Sequence, residues 1–483
     1  MRIAVVNPPF MDGRFSRPSR SPAINKSGTL YWPFWLAHGV GALERAGHEV
    51  LFLDCPATGL RASDMPRRIA GFGPGMVVLD SSTPSINRDL ESAHAIAALM
   101  PAPPVFVMVG THASALPMET LAGLPAPAAV ALGEYDETLV EVAAAVEDGN
   151  ELSAIPGLLV EADGRPVRTP ARAPVEDLDS LPMLADVYRR HLDPRDYFFA
   201  AARYPSVMTI TSRGCPFRCS FCLWPHVLHT GRYRMRSPAH IALEFRLIAD
   251  YFPEVREVVI EDDTFAVSDQ RVEEVSRALI EQGNALPWTA NVRANLSCEA
   301  MRVMREAGCR LLIVGYESGS QDVLDNTGKG ITVEQSREFA SAARRAGLLV
   351  HGCFMAGNSG ETRESLEATM RLALELRPDT AQFFPLMVYP GTRDYERLRR
   401  DGMIRASSFD EWVTPEGLHN CVIDLPTLTG AELVAWCNSA RRRFYLRPGY
   451  LLYKLRQTLR HPATEGRRTL KAFSTFRKHL FRA

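Results

Sequence analysis

Thr211-Ser212-Arg213-Gly214-Cys215-Pro216-Phe217-Arg218-Cys219-Ser220-Phe221-Cys222 closes an apolar stretch from Ser206 that reads as a β-strand. Three cysteines spaced C-x3-C-x2-C on a tight loop offer three soft thiolates, each able to ligate one iron of a cubane [4Fe–4S] cluster. No fourth cysteine lies nearby. One iron would then keep an open position, which a cluster needs if it is to bind a substrate as well as pass electrons. Two other readings use the same residues. A zinc site normally takes four ligands, commonly in two pairs, and His226 and His229 follow too closely to form the second pair. An electron-transfer cluster usually shows a fourth cysteine.

Downstream, strand patterns recur at about 206–212, 255–261, 287–292, 310–315, 349–355 and 380–386, each followed by a helical pattern. They predict a partial (β/α)6 barrel of the TIM type over 201–400, with its site on the carboxyl-end loops. Upstream, strands at about 2–6, 49–53, 76–80, 104–109 and 128–132 and a helix at about 33–46 predict a doubly wound, Rossmann-like α/β domain over 1–147. Its ligand belongs beyond the strand ends, on the loops Asn7-Pro8-Pro9, Ser81-Ser82-Thr83, Gly110-Thr111-His112 and Gly133-Glu134. Residues 148–200, with the turn Asp163-Gly164, read as a linker with a small hairpin.

The 483 residues are 46% hydrophobic and 23% charged with a formal net charge of -1, which suits a multidomain globular protein and gives no nucleic-acid coat. No apolar run approaches the ~18 residues of a membrane span, and no signal peptide is evident, so a cytoplasmic protein is expected. Of nine cysteines only three cluster, an arrangement of reduced thiols rather than disulfides. Among the scattered ones, Cys353 has a strand position that can face the barrel site. Residues 401–483 form a helical, basic extension, and from Arg441 onward thirteen Lys and Arg stand against one acid, Glu465. Apolar residues are interleaved there, as in Tyr450-Leu451-Leu452-Tyr453-Lys454-Leu455. Two readings stand: helices docked on the barrel with a solvated basic face, or peripheral contact with an anionic membrane or acidic substrate.

The cysteine motif resembles that of the radical S-adenosylmethionine (SAM) superfamily. The resemblance continues through Glu261-Asp262-Asp263-Thr264-Phe265, an acidic variant of a Gly-Gly-Glu pattern, then Asn291-Val292-Arg293, Gly315-Tyr316-Glu317-Ser318-Gly319-Ser320, Gly352 to Thr362, and Tyr389-Pro390-Gly391-Thr392. It implies a cluster on Cys215, Cys219 and Cys222, and SAM contacts at Phe221, Asp262, Asp263, Arg293, Glu317 and Ser318. It further implies SAM cleavage to a 5′-deoxyadenosyl radical and a one-electron reductant such as flavodoxin or ferredoxin. Glu261, Trp288, Tyr316 and Gln382 join Asp262 and Asp263 as substrate liners by strand position.

The first domain resembles the cobalamin-binding arrangement of the B12-dependent radical SAM subgroup, through the strand-end loops above together with Trp32-Pro33-Phe34-Trp35-Leu36-Ala37 and Glu134-Tyr135-Asp136-Glu137-Thr138-Leu139. The resemblance implies cobalamin contacts at Ser82, Thr83, Gly110, Thr111, Gly133 and Glu134. Phe10-Met11-Asp12-Gly13-Arg14 stands where many cobalamin proteins carry Asp-x-His-x-x-Gly, so a corrin here is expected to lack a histidine below the cobalt. His112, after the fourth strand, is not taken as that ligand. The activity implied is C-methylation of an unactivated carbon in a small-molecule or lipid substrate. The alternative is a radical cyclase or ring-rearranging enzyme acting on a lipid, tetrapyrrole or natural product without methyl transfer. A redox or cobalamin sensor is a third reading.

Overall fold

The structure, a computed structural model, describes residues 1–11, 13–229 and 231–460. The first sheet places β1 (Arg2–Asn7), β2 (Glu49–Asp54), β3 (Met76–Ser81), β4 (Val105–Gly110) and β5 (Ala128–Ala131) in the parallel order β2-β1-β3-β4-β5. Every residue of β3, Met-Val-Val-Leu-Asp-Ser, is buried, because helices cover both faces of a central parallel strand. Strand order reverses between β1 and β3, and the crevice outside their carboxyl ends is where such sheets hold ligands. All five expected strands are present, and the helix at 33–46 is Phe34–Arg45.

The hairpin read in the linker is β6 (Leu158–Ala162) and β7 (Arg165–Arg168), but it does not stand alone. β6 pairs antiparallel with β5, Leu158 opposite Ala131, and lengthens the first sheet to seven strands. Leu158, Leu159 and Val160 are all buried, so pairing gives them a core that a free linker would lack.

The second large sheet is all-parallel, in the order β15-β14-β13-β12-β11-β8, from β8 (Ser206–Thr209), β11 (Glu257–Ile260), β12 (Trp288–Val292), β13 (Cys309–Glu317), β14 (Leu349–Ala356) and β15 (Thr380–Pro385). The predicted six are thus the strands of an open, partial barrel. Between β8 and β11 a short antiparallel clip joins β9 (Ser212–Arg213) to β10 (Arg234–Met235) and ties the base of the loop that carries the three cysteines.

Helix Gly430–Tyr445 starts at a capping box between Thr429 and Glu432 and covers the open edge of β15. The Tyr445 hydroxyl donates to Ala381 O at 2.7 Å and accepts from Ala381 N at 2.9 Å. Edge backbone groups are satisfied in this way. This part of the extension is docked, and residues 461–483 lie outside the described residues. One apolar core runs from Ile3 through the barrel to Tyr450, with the helix Leu184–His191 contributing Leu184, Val187 and Tyr188 to it. Among the described residues no helix is long and apolar enough to cross a membrane.

Candidate functional site

The cysteine loop is held from below by an acidic triplet. Gly214 turns the chain with φ +84°, a conformation open to glycine. Asp262 accepts from Thr211 N at 2.6 Å, Thr211 Oγ1 at 2.5 Å, Ser212 Oγ at 2.7 Å and Ser212 N at 3.3 Å. Asp263 accepts from Gly214 N at 2.8 Å and from His229 Nδ1 at 2.7 Å. Its Oδ1 is buried without a partner. Glu261 pairs with Arg20 and accepts from Asn291 Nδ2 at 2.7 Å. Asp262 therefore spends its oxygens on the loop, whereas Asp263 keeps one for a donor not yet placed.

All three thiols are free; Cys215 and Cys219 are buried and Cys222 is half-buried. Burial pushes the Cys215 thiol up to about 11 and Cys222 higher still, so these two stay protonated until a metal takes the proton's place. The Arg293 guanidinium lies 3.9 Å from Cys219 Sγ and 3.5 Å from the centroid of the Phe217 ring. Among the described residues no three His, Cys, Asp or Glu side chains converge on one point as a single ion requires. A cubane does not require it, because each thiolate takes its own iron. The donor chemistry fits a [4Fe–4S] cluster.

Toward SAM, Glu317 ends β13 at φ +60° and accepts from Lys329 Nζ at 2.7 Å. A Cβ at Gly315 would stand 2.3 Å from Glu317 Oε1, so the pair presses against bare backbone. Arg293 donates to Lys329 O, which places Arg293, Lys329 and Glu317 side by side, and the Arg293 Nε is an orphaned donor. Ser318 turns away, its hydroxyl 3.2 Å from Thr369 Oγ1 on helix Arg363–Leu376, and Phe221 is half-buried against the core. Two of the substrate liners do not reach the mouth. Trp288 is the first residue of its strand, at the opposite end, and donates to Ala307 O at 2.9 Å. Tyr316 is sealed against Phe354, ring centroids 5.6 Å apart. Gln382 is exposed on β15 and Cys353 half-buried beside it.

At the carboxyl ends of the first sheet lies a narrow cleft between Asp80, Ser81, Gly110 and Thr111 on one side and Trp224 and Leu228 of the barrel on the other. A second lies between Gly133, Glu134 and Asp136 and the barrel residues Arg213 and His229. Trp35, Tyr135 and Leu228 line both. Gly110 sits at φ +103° with Ser81 O only 2.4 Å from where a Cβ would be, so the floor is bare backbone. The Trp35 indole N–H is buried with no acceptor. A floor of small residues and an unmet donor fit a polar-edged planar ligand such as a corrin. Thr83 and His112 pair with each other, Oγ1 to Nδ1 at 3.3 Å, and Ser82 pairs with Ser85 at 2.8 Å. Burial pushes His112 down to about 4, keeping it neutral.

Burial pushes the Asp80 carboxyl up to about 7. An acid whose pKa is higher folded than unfolded binds more protons when folded, so its contribution to stability declines as pH rises from about 4 to about 7. Between pH 5 and pH 8 the wild type is expected to lose roughly 2 kcal/mol relative to Asp80→Asn. Urea midpoints of both proteins at the two pH values check this; parallel curves would refute it.

The two halves are joined across this cleft by buried ions. Arg213, two residues before Cys215, donates to Asp136 at 2.6 Å and 3.1 Å and to Glu134 at 3.2 Å, and Arg234 donates to Glu134 at 2.9 Å. Glu134 thus faces barrel arginines. Against the opposing pull of burial, Arg213 holds the Asp136 carboxyl below its usual range. Arg20, from the loop before helix Phe34–Arg45, crosses to Glu261 and the Asp262 carbonyl and lies 4.3 Å over the Trp224 ring. Sequence reasoning missed Arg20, Trp224, His229 and Lys329 as site residues, since none sits in a spaced motif.

Residues 209–373 match the Radical SAM superfamily and residues 20–143 match the B12 binding domain. An uncharacterized methyltransferase of Pyrococcus horikoshii is 31% identical over 437 residues, covering 90% of this chain and 92% of that protein. The anaerobic magnesium-protoporphyrin IX monomethyl ester cyclase of Rubrivivax gelatinosus is 24% identical, covering 94% of this chain and 79% of its own length. Among solved structures, the radical S-adenosylmethionine methyltransferase TsrM of Kitasatospora setae has a similar fold, with TM-score 0.69 and 20% identity, covering 91% of this chain and 90% of that one. With the cysteine loop and the strand-end cleft facing each other, the chain belongs to the cobalamin-binding radical SAM family and is an enzyme whose cofactors are a [4Fe–4S] cluster, SAM and cobalamin.

Proposed function

We propose that the enzyme methylates an unactivated carbon of a small-molecule substrate. The observation that carries this reading is the shared wall: Trp224 and Leu228, just past Cys222, face Ser81, Gly110 and Thr111 across one cleft. When bound, the cluster supplies the electron that splits SAM and cobalamin supplies a methyl carrier. The residues of the chain do the rest. Cys215, Cys219 and Cys222 hold the cluster, and Asp262 fixes their loop. Asp263 Oδ1 offers an acceptor for the SAM amino group, and Arg293 offers a donor for its carboxylate. Gly110, Thr111, Gly133 and Glu134 border the corrin space, and Ser82 and Thr83 lie behind it, bonded to Ser85 and His112. Trp35, Trp224 and Leu228 keep water out of the region between the two cofactors.

The reading is supported by relatives that are methyltransferases, including the cytidylyl-2-hydroxyethylphosphonate methyltransferase of Streptomyces wedmorensis at 26% identity. A flavodoxin or ferredoxin serves as the electron source. Anaerobic turnover with methyl-labelled SAM and cell extract is expected to place the label in a new product in step with 5′-deoxyadenosine. Unlabelled product alongside continued 5′-deoxyadenosine formation would instead mark a cyclase or ring-rearranging enzyme.

A further inference from the structure

Helix Pro448–Arg460 is built inside out. Tyr450 and Lys454 face the protein and are 8% and 9% exposed. The Tyr450 hydroxyl donates to Asp379 O at 2.9 Å, and the Lys454 amine lies 5.2 Å from the centroid of the Tyr453 ring. On the far side Leu451, Leu452, Leu455 and Leu459 are 52%, 48%, 55% and 72% exposed. At 3.6 residues per turn these four leucines fall within one arc of about 100°. A lysine turned inward while four leucines turn outward is the reverse of what water selects. The face is held in place rather than dangling, because Arg447 stacks over the Phe444 ring of the docked helix at 4.3 Å.

Charge identifies what covers the leucines. Arg456 and Arg460 flank them, and the thirteen Lys and Arg after residue 440 meet one acid in a chain whose formal net charge is only -1. The positive charge is therefore segregated here. A second copy of the chain, paired face to face about a two-fold axis, would bring like charges together. Residues 461–483 carry the same sign. An anionic lipid surface supplies both an apolar layer and negative charge. We propose that this helix docks on such a surface, its leucines at the boundary of headgroups and acyl chains and its arginines among the lipid phosphates.

The test is flotation of the full chain with vesicles of equal parts phosphatidylglycerol and phosphatidylcholine, compared with vesicles of phosphatidylcholine alone. Binding to the anionic vesicles, weakened by salt, is expected, and Leu455→Glu with Leu459→Glu should weaken it roughly tenfold or more. Thermal melting and 5′-deoxyadenosine formation by that variant should match the wild type, since both leucines lie on the surface. The proposal is overturned if the wild type ignores anionic vesicles, if the variant binds as well as the wild type, or if sedimentation shows a dimer that the variant splits.

Discussion

Cys219→Ala is expected to leave the enzyme without a stable cluster and to lower 5′-deoxyadenosine formation by about three orders of magnitude, equivalent to ~4 kcal/mol. Two thiolates cannot hold three irons of a cubane, and the Arg293 guanidinium 3.9 Å from the sulfur would then face no thiolate. Cys353→Ala is the matched control. It removes another free thiol, half-buried on β14 within the barrel and outside the three-cysteine motif. Iron content and the visible absorption of anaerobically reconstituted protein should fall only in the first variant. Equal iron in both would mean that the cluster is held elsewhere.

Asp262→Ala is expected to be nearly as damaging by a different route. The carboxylate meets four donors, the amides and hydroxyls of Thr211 and Ser212, and all are buried. Each donor left without a partner costs roughly 1–3 kcal/mol, and water can enter to offset part of the sum. A net loss of about 3–5 kcal/mol is expected, a large share of the ordinary stability of a domain. The cysteine loop should loosen first, so cluster occupancy should fall before global unfolding. Iron content and denaturant midpoint, measured together on Asp262→Ala and Asp262→Asn, separate the two effects. A full cluster load with unchanged SAM cleavage in the alanine variant would show that the loop does not depend on this clamp.

The strands were legible because a parallel strand covered on both faces must be an apolar run, and β3 and β4 are nearly unbroken ones. The cysteine motif was legible because its spacing is local. The acidic triplet was legible as a motif but not as a division of labour. Asp262 serves residues about fifty positions earlier, and Glu261 meets Arg20 from a loop of the first domain, 241 positions away. Arg20 lies in a loop without periodicity, and sequence offers no signal for where such a loop lands. His229 was weighed only as a metal ligand, yet its geometry is set by Asp263, 34 residues later. Trp288 was placed near the site by strand membership alone; its position at the amino end of β12 puts it at the far side of the barrel. The linker hairpin joined the first sheet because β6 had three apolar residues to bury.

The apolar core that passes without a break from the first sheet into the barrel has a mechanical consequence. Two bodies welded by a shared hydrophobic interior do not swing apart on a hinge. The segment bearing Arg20 is one of the stitches: three residues earlier Arg17 is buried against Asp89, and Phe10, Phe15 and Ala23 pack with Val413 of the extension, so this loop ties the first sheet, the barrel and the C-terminal extension together. Cutting that stitch, for example at Arg17, is therefore expected to weaken all three parts at once rather than to free one of them.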